Sequence, residues 1–326
     1  MVENIVRFAT VGSNFIVKNF LSAAALCDDF VLKAVYSRSM EKAQMLAKEW
    51  GAEHACSSLE QMAASEEIDA VYIASPNICH AQQAIIFMEA GKHVLCEKPI
   101  ALSVCELKKM QACAEKNHVV LMEAMRPLHN PNVKIIREIL PQLGIVRRAV
   151  FQFCQYSSRY DKFKNGIVEN AFIPQLGNGA LMDIGVYCIH MMLALFGKPE
   201  RIQASGYFLP ASIDAAGTIV AEYGEMQAQL LYSKINDSHL PCEIQGEEAC
   251  LRFSPLVSPE TAALYRNNGE IEMLPVLLAQ DDMRFELESF IRQVRQGHTE
   301  PKWGEYSMQA LEIVDEVRRQ IGIDAF

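Results

Sequence analysis

No apolar run in this sequence is long enough to cross a bilayer. The longest, Val186–Phe196, spans 11 residues and includes His190; a membrane-spanning helix needs about 20. The opening Met1-Val2-Glu3-Asn4-Ile5-Val6-Arg7 is charged and short in apolar residues, so it reads as no signal peptide. Positive charge is in the minority: 30 Lys and Arg stand against 40 Asp and Glu, for a formal net charge of -10. Basic doublets such as Arg147-Arg148 and Arg318-Arg319 are too small for a nucleic-acid footprint. Metal-site spacing is also missing. The ten cysteines form no C-x-x-C, and no H-x-x-x-H occurs, which excludes the usual structural zinc patterns. Ten cysteines among 326 residues fall short of a disulfide scaffold. Most stand in apolar company, as in Val94-Leu95-Cys96 and Val186-Tyr187-Cys188-Ile189, and are expected to be buried, reduced thiols of a cytoplasmic protein. No repeat or low-complexity tract is visible.

What remains is an ordinary globular composition, 50% hydrophobic and 21% charged. At about 150 residues per domain, its length suggests roughly two domains. The first third alternates β-type runs with helical patterns. Strands are expected at Val6–Val11, Phe30–Tyr36, 69–74, 93–96 and 119–122. Helices fall at 15–27, 40–50, after Ser58, at 79–90 and after Ser103, where Ser58/Gln61 and Ser103/Glu106 form capping boxes. The run Asp69-Ala70-Val71-Tyr72-Ile73-Ala74 has no polar alternation, as expected of a strand buried on both faces. Such alternation specifies a doubly wound parallel α/β sheet of Rossmann type over 1–125. Past residue 125 the pattern changes. A helix near 131–140, a strand at 146–155, a loop, an apolar helix at 178–196 and several β-runs between 200 and 254 describe an α+β domain over 126–326 with a mostly antiparallel sheet. Two amphipathic helices close the chain.

The first βα turn reads Val11-Gly12-Ser13-Asn14-Phe15-Ile16-Val17. Only the first glycine of a G-x-G-x-x-G fingerprint is present; Asn14 and Val17 take the other two places. Asn14 is expected to supply the left-handed backbone conformation often met by the second glycine. Strand before, helix after, the turn can hold pyrophosphate on backbone N–H groups of Ser13 to Ile16. The second strand ends Tyr36-Ser37-Arg38, with no acid between Val31 and Ser39 to grip ribose hydroxyls. Ser37 and Arg38 suit a 2′-phosphate instead, which favours NADP over NAD. Ser75-Pro76-Asn77 with His80, and Glu97-Lys98-Pro99, end the next two strands at the edge where open parallel sheets bind ligands, and are candidate cofactor contacts. In the apolar helix, Asp183, Tyr187 and His190 recur at spacings of four and three on one face. Such a stripe is costly unless it meets partners or a wet cleft. Paired with a lysine, it can supply an acid/base group.

Three stretches carry a resemblance: Ser75-Pro76-Asn77-Ile78-Cys79-His80; Ala90-Gly91-Lys92-His93-Val94-Leu95-Cys96-Glu97-Lys98-Pro99; and Gly177-Asn178-Gly179-Ala180-Leu181-Met182-Asp183-Ile184-Gly185-Val186-Tyr187. In this order the chain resembles the glucose–fructose oxidoreductase / inositol dehydrogenase / MocA (Gfo/Idh/MocA) oxidoreductases. That resemblance implies a Rossmann domain plus a C-terminal sheet for substrate binding and homodimer or higher homo-oligomer formation. It implies hydride transfer between NADP, or NAD, and a sugar, polyol or dihydrodiol-type alcohol/carbonyl pair. Lys98 takes the place of the family's catalytic lysine. Tyr187 stands where many members have histidine, and His190 where they have a second aspartate, which is similar to the dihydrodiol dehydrogenase branch, with lysine and tyrosine as the proton-transfer pair. Asp183 is expected to support Lys98 or substrate, and Tyr160, Asn170, Asp183, Tyr187 and His190 to contact substrate. Alternatives are an inactive cofactor-binding sensor on the same fold and an NAD-preferring sugar dehydrogenase. No metal, nucleic acid or membrane partner is expected.

Overall fold

A computed structural model describes residues 5–323. Met1–Asn4, part of the stretch read above as no signal peptide, lie outside the described residues. Two compact units emerge. One runs to Met125 and takes in Asp281–Ser307; the other covers Arg126–Gln280 and resumes at Met308.

The first unit is built on six parallel strands: β1 (Val6–Val11), β2 (Phe30–Tyr36), β3 (His54–Cys56), β4 (Ala70–Ile73), β5 (His93–Glu97) and β6 (Leu121–Ala124). Their order is β3-β2-β1-β4-β5-β6, the doubly wound order of a dinucleotide-binding sheet. The chain leaves β1 in one direction and β4 in the other, which opens a crevice at their carboxyl ends. Helices α1 (Phe15–Ala24), α2 (Met40–Trp50), α3 (Leu59–Ala63), α4 (His80–Glu89) and α5 (Val104–Lys116) connect them. Ser39, Ser58 and Ser103 each cap a helix by accepting from the backbone N–H three residues on. All four residues of β4 are buried, as its unalternating apolar run requires. The short strand β3 escapes the sequence pattern because three residues are too few to show a period.

Residues 281–307 are a correction to the single cut at residue 125. The helix Met283–Gln296 turns Met283, Leu287, Phe290 and Ile291 into the core formed by Phe8, Phe20 and Tyr72. The Phe290 ring lies 5.8 Å from Phe8, and Phe20 stacks on Tyr72 at 3.8 Å. The apolar face of this helix, legible in sequence, finds its complement in residues of the first 72 positions.

The second unit holds one eight-stranded sheet: β7 (Val146–Cys154), β8 (Arg201–Leu209), β9 (Ile213–Tyr223), β10 (Met226–Ser233), β11 (Cys242–Gly246), β12 (Ala249–Ser254), β13 (Thr261–Arg266) and β14 (Ile271–Met273). The order is β14-β13-β12-β11-β7-β10-β9-β8, antiparallel throughout except between β7 and β10. The helix Val186–Phe196 packs on this sheet, with Phe196 against Phe151. Counted with the turns before it, the stretch Pro174–Phe196 is 23 residues long, with a mean hydropathy of 1.7 over its most apolar window, enough by length and composition to cross a membrane. Its most apolar window is 78% buried inside the protein, as a core helix is.

Candidate functional site

The β1–α1 turn is shaped by Gly12. Its φ is +131°, and a Cβ there would sit 2.5 Å from the Ala74 carbonyl oxygen, so only glycine lets the turn pass this close to the end of β4. Asn14 does not adopt the expected left-handed conformation. It is extended, with φ -93° and ψ 178°, and caps α1 by accepting from the Val17 N–H at 3.4 Å while its amide donates to Ala74 O at 3.3 Å. The side chain replaces what a second glycine would do by backbone freedom: it ties the turn to β4. Ser13, Asn14 and Phe15 are exposed, Phe15 at 60%; Ile16 is half-buried. No acid occupies the first turn of α1, so its N-terminal dipole is left for an anion.

Ser37 is buried at the end of β2 and its N–H donates to Cys56 O. Arg38 beside it is exposed and has no ion-pair partner among the described residues. At the end of β4, Ser75 Oγ is buried with no hydrogen-bond partner among the described residues. Pro76 and Asn77 lead into a short helical turn, Asn77–Cys79. A cradle only glycine allows, an orphaned hydroxyl, an acid-free helix start and an uncommitted guanidinium fit a phosphorylated nicotinamide dinucleotide.

At the end of β5, three successive residues are held by buried ionisable side chains. The Lys98 N–H donates to Glu97 Oε2 at 3.2 Å, the Pro99 carbonyl faces His80 Nδ1 at 2.9 Å, and the Ile100 N–H donates to Glu123 Oε1 at 3.0 Å. Glu97 also accepts from the Tyr72 hydroxyl at 2.5 Å, and Glu123 from Ser307 Oγ at 2.6 Å. The turn is thereby fixed with Lys98 half-buried at its apex. This arrangement corrects the expected role of His80. Its ring is 0% exposed and lies between two carbonyls, Pro99 O and Ser75 O, each at 2.9 Å. Such a ring has no surface to offer a cofactor; it joins the turns after β4 and β5. Burial pushes its pKa down, against the two carbonyls, which favour the protonated form. Glu97, 8% exposed, likewise faces inward. Tyr72, Glu123 and Ser307 were not singled out from the sequence. A glutamate inside the apolar Leu121-Met122-Glu123-Ala124 was the available signal.

In the second unit, the helix expected over 178–196 begins later and is not one α-helix. Leu181–Gly185 form a π-helical turn, and Val186–Phe196 an α-helix. Such wide turns gather at functional sites. Its start is pinned by Asp214, whose carboxylate accepts from the Leu181 N–H at 2.6 Å. Burial pushes Asp214 up, opposed by that bond and by the charges of Lys234 and Arg318. Gly179, φ +150°, is required because a Cβ would overlap Asp214. From Leu181 to Ala194 every residue is buried except Asp183 and Tyr187. His190 lies on the same stripe but is 2% exposed, so it does not reach solvent and the expected substrate contact is not built. The Tyr187 ring packs against Phe153 at 5.6 Å. Asp183 pairs with Lys234, Oδ2 to Nζ 2.9 Å. Lys234 was missed because it follows the alternating run of β10 with nothing local to mark it.

Tyr160 starts a short helix, Tyr160–Lys164, and joins an aromatic cluster, 6.0 Å from Phe172 and 5.4 Å from Tyr156. Asn170 is exposed and its carbonyl accepts from Asn178 Nδ2 at 2.7 Å. All ten cysteines are free thiols, but only Cys96, Cys188 and Cys242 are buried. Burial raises the pKa of each of these three.

Two family models match this chain. One, an oxidoreductase family with an NAD-binding Rossmann fold, covers residues 6–125; the other, the GFO/IDH/MocA C-terminal domain, covers residues 141–252. The chain belongs to the Gfo/Idh/MocA oxidoreductase family. This Gfo/Idh/MocA chain is 44% identical to the scyllo-inositol 2-dehydrogenase (NADP(+)) IolU of Bacillus subtilis over 98% of both chains. It is 32% identical to a trans-1,2-dihydrobenzene-1,2-diol dehydrogenase of Danio rerio, over 89% of this chain and 88% of that one. Among solved structures, a 3-ketoreductase from Actinomadura kijaniata, in complex with NADP and TDP-benzene, shares the fold with a TM-score of 0.87 at 22% identity, covering 98% of each chain.

Proposed function

We propose that this chain is an NADP-dependent oxidoreductase that interconverts a secondary alcohol and a carbonyl on a cyclic polyol, sugar or vicinal diol. The observation that carries the reading is the 44% identity, over 98% of both chains, to an NADP-dependent scyllo-inositol dehydrogenase. The uncommitted Arg38, where an acid would hold the ribose of NAD, supports the choice of cofactor.

Gly12, Ser13, Asn14, Phe15 and Ile16 would hold the pyrophosphate, Ser37 and Arg38 the 2′-phosphate, and Ser75, Pro76 and Asn77 the nicotinamide half. The cofactor, when bound, supplies or accepts a hydride. In the reductive direction Tyr187 gives its phenolic proton to the carbonyl oxygen and leaves as tyrosinate, which solvent reprotonates; oxidation reverses the transfer. Lys98 takes the place of the family's catalytic lysine, whose positive charge would favour a tyrosinate. Asp183 fixes the hydroxyl side of the substrate, and Tyr160 and Asn170 border it. The second unit is assigned to substrate binding and to homo-oligomer formation. Exposed Tyr207, Leu240, Ile271 and Met273 on it support the latter assignment. The free thiols suit a reducing cytoplasm.

The test is NADP reduction, followed at the nicotinamide absorbance, with scyllo-inositol, myo-inositol, aldoses and trans-diols. Turnover of at least one is expected. Tight NADPH binding with no turnover across the panel makes the chain a sensor on this fold, and tighter NADH than NADPH binding removes the role of Arg38.

A further inference from the structure

Lys234 lies just past the end of β10, and its side chain is only 3% exposed. A buried ammonium needs its charge and its donors met. One donor reaches Asp183 Oδ2 at 2.9 Å and another Ala171 O at 2.9 Å, and the ammonium stands 5.0 Å from the centre of the Phe172 ring. The charge also acts on buried Asp214, the carboxylate that pins the head of the π-helical turn. The backbone of the same residue is equally engaged. Its N–H donates to Ala215 O at 2.8 Å, and its carbonyl accepts from the Ser157 N–H at 2.9 Å. Lys234 therefore grips the segment 157–171 at both ends, by its carbonyl at Ser157 and by its ammonium at Ala171. Tyr160 and Asn170 lie between those two grips.

We propose that Lys234 is a positioning residue for substrate: it locks the 157–171 segment and the Asp183 carboxylate into one register, so that the substrate-contacting groups are presented together. The role rests on the reading of Asp183, Tyr160 and Asn170 as substrate contacts. Lys234 acts through them and not on the reacting atoms. The Asp183 carboxylate is held by a charge-assisted bond, the kind whose loss costs more than that of a neutral one. At the Ala171 end of the loop the bond is buried.

Lys234→Met keeps the length of the buried stem and removes the charge. With the alcohol that wild type oxidises, its KM is expected to rise roughly 10- to 100-fold, with NADPH affinity within about twofold of wild type. Lys234→Arg, which keeps the charge, is expected to recover part of the loss. Hydrogen exchange should quicken in 157–171 of Lys234→Met and stay unchanged over residues 6–125. A wild-type chain that turns over nothing on the panel overturns the proposed function and leaves the exchange result to judge Lys234 alone. A wild-type chain that is active beside a Lys234→Met chain with unaltered KM and unaltered exchange overturns the positioning role and leaves the function standing. Equal loss of NADPH binding and of protection over the whole chain also overturns it, since that is a folding defect. Should Lys234→Met not fold, the wild-type chain decides: the Ser157 amide must exchange as slowly as the amides of β10, and exchange at solvent-exposed rates overturns the clamp.

Discussion

The two units hold their candidate chemistry in opposite ways. In the Rossmann unit it sits on turns at the carboxyl ends of strands, where the backbone has left its ladder. Side chains brace those turns: Asn14 ties the first turn to Ala74, and Glu97, His80 and Glu123 hold Lys98, Pro99 and Ile100 in succession. In the second unit Asp183 and Tyr187 sit on a helical stretch whose backbone largely satisfies itself. Selection there is by exposure. Everything around them from Leu181 to Ala194 is buried, and only these two reach solvent. A turn needs outside support to present a side chain; a buried helix needs only a register that leaves the right positions uncovered.

The largest expected effect falls on the helical side. Tyr187→Phe should lower kcat by about 100- to 10,000-fold, the span of general acid–base catalysis, while NADPH titration gives the wild-type affinity. Lys98→Met should fall in the same span, and wild-type turnover by both variants would remove the proton-transfer roles given to these two residues. Next comes the turn. Gly12→Ala combines a disfavoured φ with a collision against Ala74 O. It should cost about 2–4 kcal/mol in urea unfolding and abolish NADPH binding. Gly91→Ala, also at positive φ but with open space around it, is the control, at about 1–2 kcal/mol and with binding intact. Equal losses of binding in both would show that the turn's close approach does not matter.

Arg38→Ser should cut the NADPH over NADH preference roughly 10- to 100-fold, as expected for a charge-assisted bond of about 1.5–3 kcal/mol. Unchanged preference in fluorescence titrations would place the 2′-phosphate elsewhere. The smallest effect is a pH dependence confined to the Rossmann unit. Burial lowers the folded-state pKa of His80 and of His93, whose Nδ1 accepts from the Val120 N–H. On acidification the unfolded chain protonates these rings first. Stability is therefore full above the ordinary value of 6.5 and declines as pH falls from there toward the folded pKa. Urea unfolding should therefore show lower stability at pH 5 than at neutral pH. His80→Gln should flatten the slope. A wild-type stability that rises on acidification would show that the carbonyls at Ser75 and Pro99 hold His80 protonated.

Much of the first unit was legible because its determinants are local. Val6–Val11 and Phe30–Tyr36 match their strands residue for residue, since strands of a parallel sheet covered on both faces are mostly apolar, broken here only by Arg7, Thr10 and Lys33. Ser39, Ser58 and Ser103 announce their helices because a cap is a three-residue interaction. The helix Met283–Gln296 was legible as an amphipathic helix but not as part of the first unit, because a period shows that a face is apolar and not which core it fills.

The sequence by itself determined the order of the elements, the carboxyl-edge residues Gly12, Arg38 and Lys98, and the stripe of Asp183, Tyr187 and His190. Each follows from spacing along one strand end or one helix. Only the tertiary structure decided that His190 and His80 are enclosed while Tyr187 is not. It likewise decided that Asn14 acts as a cap and not as a glycine substitute, and that Lys234 is the partner of Asp183. These depend on burial and on bonds between residues far apart in the chain. A side chain's desolvation and its partners are properties of the packed unit, and no local pattern records them.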